Sequence, residues 1–270
     1  AIRLPNKNVA QSVRRMDVRR WLTDYQLMPQ GNGAYLNARG DIFSFDFATR
    51  KSRNMTQTPG INEHNFAISA DGTKMAYITD INGAYQLEIR DLLTEKTRVF
   101  SIENNPSFYF HLQWSPNNRF ISFADQRLRL WIFDTQMGEA HVIEQSNDSG
   151  QNDWFTDWSP NSRYLAYSKR MLNRLPKVFI YDTQTQRSHE IATDDIYAIE
   201  PRFDDNGDYL YFVSSPNRAA SDFKWSVLSG IEQQSHIRGN LNIVILNNEA
   251  PVPINPVNQQ PNTQVNWFNN

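Results

Sequence analysis

The chain has 270 residues, 39% of them hydrophobic, 13% aromatic and 21% charged, which is enough apolar surface for a sizeable core. Its 27 basic residues nearly balance its 29 acidic ones, for a net charge of -2, so no global field draws it to nucleic acid or an anionic membrane. The absence of cysteine excludes a disulfide scaffold, a thiol nucleophile and a cysteine-ligated metal within these residues, while cytoplasm and periplasm both stay open.

Taken in chain order, residues 1–16 read as the end of a preceding unit and a linker, without the apolar centre of a secretory signal. A unit over 17–60 follows, with the turn LMPQGNG from Leu27 and the strands AYLNA from Ala34, DIFSFDF from Asp41 and RNMT from Arg53. The next, over 61–104, has ISADGT from Ile68, KMAYIT from Lys74, QLEIRDL from Gln86 and RVFSI from Arg98. The third, 105–149, has WSPNNR from Trp114, RFISFA from Arg119, LRLWIFD from Leu128 and HVIE from His141. The fourth, 150–194, has WSPNSR from Trp158, RYLAYS from Arg163, KVFIYDT from Lys177 and HEIA from His189. The fifth, 195–250, has FDDNGD from Phe203, DYLYFVS from Asp208 and, beyond an insertion over Ser214–Gly239, NLNIVIL from Asn240. A polar tail over 251–270, or the start of a next unit, closes the chain.

The first turns recur at intervals of 41, 46, 44 and 45 residues. Alternating β-branched and aromatic residues, with Asp, Asn, Gly and Pro in the turns, predict hairpins rather than helices. Asp46, Asp91, Asp134 and Asp182 open a second turn, where a carboxylate can accept backbone N–H bonds. Four antiparallel strands per repeat of this length are the signature of a β-propeller blade, so the expected fold is all-β with five blades present. Leu27, Ile68, Trp114, Trp158 and Phe203 share one position and are expected to pack between blades.

No GxSxG elbow, HExxH zinc site or Gly-rich phosphate loop is present, and neither a catalytic residue nor a cofactor or metal site is expected in this segment. First strands line the central channel of a propeller, which makes His64 and His111 candidates for its lining. Asp24, His111 and Glu200 share one first-strand position; Gln26, Gln113, Asp157 and Arg202 share another. The channel candidates are therefore Asp24, His64, His111, Gln113, Asp157, Glu200 and Arg202. A mixed-charge lining would pass an unfolded peptide by weak contacts without fixing its sequence. The plain alternative is that these groups hydrogen-bond between blades. Arg14, Arg15, Arg19 and Arg20 form the densest basic cluster, read as a solvated face or a contact with a preceding domain.

The run from Ala38-Arg39-Gly40-Asp41 through Ser52-Arg53-Asn54-Met55-Thr56 to Thr58-Pro59-Gly60 and Glu63 resembles the seven-bladed second propeller of the tricorn proteases. FDDNGDYLYFVSS, the insertion after it and NLNIVIL are similar to the same family, so the resemblance spans about Asp17 to Leu246. It implies part of a large serine peptidase whose propellers admit and filter peptides, and whose catalytic residues lie in a region interrupted by a PDZ-like module that this chain does not reach. Five of seven blades would then be an incomplete ring, and the isolated piece is expected to be poorly soluble. The implied partners are peptides or unfolded polypeptide and the catalytic and PDZ-like domains of the same chain, with homo-oligomer formation left open; nucleic acid and a membrane span are not expected. A free-standing propeller of the Tol-associated type, acting as a protein-binding scaffold, is the alternative from a different functional class.

Overall fold

The computed structural model describes residues 19–148, 154–191, 197–215, 240–247 and 250. Beyond a 3-10 turn at Arg19–Trp21, the regular structure of these residues is all strand. The first sheet comprises β1 (Leu22–Leu27), β2 (Gly33–Ala38), β3 (Asp41–Asp46) and β4 (Lys51–Asn54). The second comprises β5 (Glu63–Ile68), β6 (Lys74–Thr79), β7 (Gln86–Asp91) and β8 (Thr97–Phe100). The third holds β9 (Tyr109–Trp114), β10 (Phe120–Asp125), β11 (Arg129–Asp134) and β12 (Glu139–Gln145). The fourth holds β13 (Asp157–Trp158), β14 (Tyr164–Arg170), β15 (Pro176–Asp182) and β16 (Arg187–Glu190). The fifth holds β17 (Tyr197–Phe203), β18 (Tyr209–Ser215) and β19 (Asn240–Ile245). Strands lie in chain order within each sheet, which is the up-and-down meander of a propeller blade. The insertion, apart from Ser214 and Ser215, the tail over 251–270 and most of the arginine-rich segment lie outside the described residues.

By its contacts the chain divides into two compact units, residues 1–64 and 65–270. In the first, the run that resembles the tricorn family ties the end of the first sheet to the strand that follows it. Glu63 N donates to Gly40 O at 2.7 Å, Asn37 Nδ2 donates to Glu63 O at 2.7 Å, and Thr58 Oγ1 donates to the buried Glu63 carboxylate. Gly40 sits at φ 82, and a Cβ there would approach Asn62 Oδ1 to 3.0 Å, so the position requires glycine. The fourth strand of this sheet starts earlier than the sequence pattern placed it. Asn54 Oδ1 accepts from the N–H groups of Thr56 and Gln57, and this side-chain turn follows the strand's end at Asn54, beyond which Met55 N still donates to Ile42 O at 2.7 Å.

Leu27 departs from its expected burial. It is 60% exposed, with Leu22 and Tyr25 of the same strand also exposed. Ile68, Trp114 and Trp158 are buried as expected, and Phe203 is half-buried.

In the second unit, side-chain alternation divides the third and fourth sheets each between two cores. From β10 and β11, Ile121, Phe123, Trp131 and Phe133 pack with Ala76, Ile78 and Leu87 of the second sheet. Their neighbours Ala124, Leu130 and Ile132 face the other way and pack with Leu165, Tyr167 and Tyr181 of the fourth. Ala166, Val178 and Ile180 then pack with Leu210 and Phe212 of the fifth. Burial on both faces explains why the second and third strands read as nearly continuous apolar runs. The two tryptophans bolt neighbouring sheets: Trp114 Nε1 donates to Ala67 O at 3.1 Å and Trp158 Nε1 to Ser122 Oγ at 3.2 Å.

The first turns repeat one hydrogen-bond pattern. Ser69, Ser115 and Ser159 each accept, through Oγ, the N–H of the residue five positions on (Lys74, Phe120 and Tyr164), all at 2.9 Å. Asp204 does the same for Tyr209 at 2.7 Å. The left-handed position of this turn is Gly72 or Gly207 in two sheets, but Asn118 (φ 60) and Ser162 (φ 60) in the third and fourth. Those two side chains recover the cost by reaching across: Asn118 Oδ1 accepts Ala70 N at 2.8 Å and Ser162 Oγ accepts Asn117 N at 2.9 Å. The second-turn aspartates cap as expected, Asp134 accepting from Gln136 N at 2.8 Å and Asp182 from Gln184 N at 2.9 Å. Each is also gripped by an arginine, Arg119 on Asp134 at 2.7 Å and Arg163 on Asp182 at 2.8 Å.

Candidate functional site

First strands of the second unit carry a recurring backbone irregularity. Four residues before the turn serine or aspartate, a non-glycine residue adopts positive φ: Asn65 (50), His111 (57), Phe155 (39) and Glu200 (56). Pairing slips there, between Ser122 and Ala124 opposite His111 and between Ile199 and Arg202 around Glu200. At His111 and Glu200 the positive φ thus coincides with a β-bulge, which turns a side chain out of the regular alternation and interrupts an otherwise open sheet edge. His111 and Glu200 are both exposed, and the His111 ring lies edge-on to Phe110 with centroids 5.1 Å apart. In the first unit, Asp24 stands at the equivalent slip in β1 and accepts Tyr25 N at 2.8 Å.

Two positions beyond the bulge, hydrogen bonds join the first strands of the third, fourth and fifth sheets. Thr156 Oγ1 donates to Gln113 Oε1 at 2.9 Å. Arg202 Nη1 donates to Thr156 O at 3.0 Å and to Asp157 Oδ1 at 3.3 Å, while Phe203 N donates to Asp157 Oδ2 at 2.8 Å. Gln113, Thr156, Asp157 and Arg202 thus form one polar strip, flanked by exposed His111 and Glu200. Burial pushes the Asp157 carboxyl above the ordinary aspartate range, against the lowering effect of the Phe203 N–H and Arg202.

Of the residues singled out from sequence, Gln113, Asp157 and Arg202 are brought together, and they make the inter-blade bonds that were the plain alternative to a channel lining. His111 and Glu200 stand beside them. His64 and Asp24 belong to the first unit, where His64 is buried at 9% exposure with Nδ1 3.3 Å from Asn62 Nδ2. Thr156, the hub of the strip, was missed, although it stands three residues before Ser159 just as Leu112 stands before Ser115. Phe155 was missed because an aromatic residue does not announce a positive φ.

The family model for the tricorn protease second beta propeller domain matches residues 22–264. Among solved structures, a tricorn protease crystal structure matches with TM-score 0.62 and 22% identity over 73% of this chain and 20% of that one, so the chain spans about a fifth of the tricorn protease. A protein described as a TolB of Agrobacterium tumefaciens matches with TM-score 0.52 and 18% identity, over 70% of this chain and 68% of that one. Dipeptidyl peptidase 4 of Porphyromonas gingivalis matches with TM-score 0.53 and 14% identity, over 71% and 36%. No curated protein matches. At these identities the structures share the fold alone, whereas the family model covers most of the sequence, and the chain belongs to the tricorn protease second beta propeller domain family.

Proposed function

We propose that this chain is the non-catalytic propeller portion of a tricorn-like serine peptidase, admitting and screening peptides for an active site carried outside these residues. The observation that supports it best is the polar strip across three first strands, with His111 and Glu200 turned out of the sheet beside it at bulges. Side chains of both charges, a hydroxyl and one neutral amide give an extended peptide several weak partners and no deep anchor, as transit requires. Bulged edges also resist pairing with a passing strand, so the peptide is not captured as an added β-strand. The strip's inter-blade bonds and its contact with a peptide are compatible, because Arg202 remains 58% exposed while bonded.

A photo-crosslinking amino acid at position 111 or 200, with Arg187 on the outer strand β16 as the control site, tests this reading. Unfolded casein fragments are expected to crosslink from positions 111 and 200 and not from 187. Equal crosslinking to folded proteins from all three sites would favour a scaffold of the Tol-associated type. Absence of peptide crosslinks at 111 and 200 would remove the passage reading.

A further inference from the structure

We propose that the cleft between the first turns of the third and fourth sheets is a carboxylate-binding site. The cleft has a volume of about 400 Å³, in the range of small-ligand sites, and its walls include Asn117, Arg119, Phe120, Asn161, Ser162 and Arg163. Asn117 Oδ1 accepts from Ser115 Oγ and Arg119 N, and Asn161 Oδ1 accepts from Ser159 Oγ and Arg163 N. Both amide oxygens are consumed by the turns, so the orientation of each amide is fixed and each Nδ2 is left as a donor without a protein partner among the described residues.

The arginines behave alike. Arg119 uses Nε and Nη2 on Asp134, and Arg163 uses Nε and Nη2 on Asp182, which leaves both Nη1 groups without protein hydrogen bonds among the described residues. Each guanidinium is stacked on its neighbouring ring, Arg119 4.8 Å from the Phe120 centroid and Arg163 4.9 Å from that of Tyr164, so these donors are held in place before any ligand arrives. Asp134 and Asp182 are saturated by the arginines and by the turn N–H groups, and neither carboxylate lines the cleft. The cleft is therefore rich in donors but formally close to neutral, since each arginine carries its own aspartate. That balance suits a monoanionic carboxylate better than a phosphate dianion.

The donor set is confined to the two sheets that form the cleft. In the second sheet, Asp71 and Thr73 stand where these have Asn and Arg, and Asp71 caps the turn equally well, accepting from Ser69 Oγ at 2.6 Å and Thr73 N at 3.0 Å. The turn thus needs an oxygen at this position but not an amide. The carboxylate could be a peptide C-terminus or an acidic side chain. The inference does not rest on the passage proposed above, because the cleft lies on the turns and can hold a carboxylate whether or not peptides cross the first strands.

The test is NMR titration of the full chain, following the side-chain N–H signals of Arg119, Arg163, Asn117 and Asn161. The probes are acetyl-tetraalanine with a free C-terminus, acetyl-Ala-Ala-Glu-Ala-amide, acetyl-tetraalanine-amide and inorganic phosphate. One or both carboxylate peptides are expected to shift these signals, and whichever does so identifies the source. Asn117→Asp with Asn161→Asp, which keeps the turn oxygen that Asp71 supplies, is expected to weaken binding about tenfold or more by replacing two donors with negative charge. Equal shifts from the carboxylate-free amide, no shift from either carboxylate, tighter binding of phosphate, or unchanged affinity in the folded double variant would each overturn the proposal.

Discussion

Asp157 and Asp182 belong to the same sheet and have opposite acid behaviour. Burial acts to raise the Asp182 carboxyl, but the Arg163 guanidinium and the Gln184 N–H outweigh it and hold the group below the ordinary range. Its folded pKa is below the unfolded value, so its contribution to stability is complete above the unfolded pKa and drains away as pH falls through the folded one. For Asp157 burial prevails and the folded pKa is the higher, so its contribution is complete below the unfolded pKa and is lost as pH rises through the folded one. Asp157→Asn keeps an acceptor for Phe203 N and removes a buried charge, so it is expected to equal or exceed the parent chain in stability at pH 7. Asp182→Asn breaks a charge-assisted pair and is expected to cost about 1.5–3 kcal/mol at pH 7, less as the pH approaches 3. Urea denaturation of the three proteins across pH 3–7 checks both; a larger loss in Asp157→Asn than in Asp182→Asn would show the assignment to be wrong.

At the scale of the element, the first strand is the part of the blade that sequence describes least well. Second and third strands are legible because both faces are buried and their apolar runs have no other use. Second-turn aspartates are legible because a short carboxylate before a turn has one obvious local partner. The left-handed position is not legible, since Asn65, His111, Phe155 and Glu200 share no side-chain chemistry and are united only by backbone φ. A left-handed conformation costs an L-residue roughly 1–2 kcal/mol, more for a β-branched one, and glycine little. His111→Gly is thus expected to hold or raise the thermal midpoint and His111→Val to lower it by several degrees, measured by circular dichroism. If valine and glycine behave alike, the positive φ at this position does not shape the strand. The same comparison bears on function, because a peptide passage that depends on the bulge should survive the glycine variant in backbone terms while losing the imidazole.

Across the second unit, sheets are coupled by shared cores, so loss of one inter-sheet residue is felt on both sides of it. Trp158 is 5% exposed, stacks on Phe120 with ring planes 9° apart, and bonds Ser122. Trp158→Ala is expected to destabilise the chain by about 3–5 kcal/mol and to speed amide exchange in β10 and β11 as well as in β14 and β15. Exchange confined to the fourth sheet would mean that the sheets open independently. What the sequence determined by itself was the all-β blade architecture, the turn positions, the capping aspartates and the family, because these depend on local spacing and on residues whose chemistry acts within a few positions. Tertiary structure alone decided which polar residues meet. Gln113, Thr156, Asp157 and Arg202 come from three first strands more than forty residues apart in sequence, and Arg119 and Arg163 are brought to one cleft by the packing of two sheets. Repetition makes each blade readable from its own residues, but a contact between blades depends on how two repeats differ, and the spacing of the repeat carries no record of that difference.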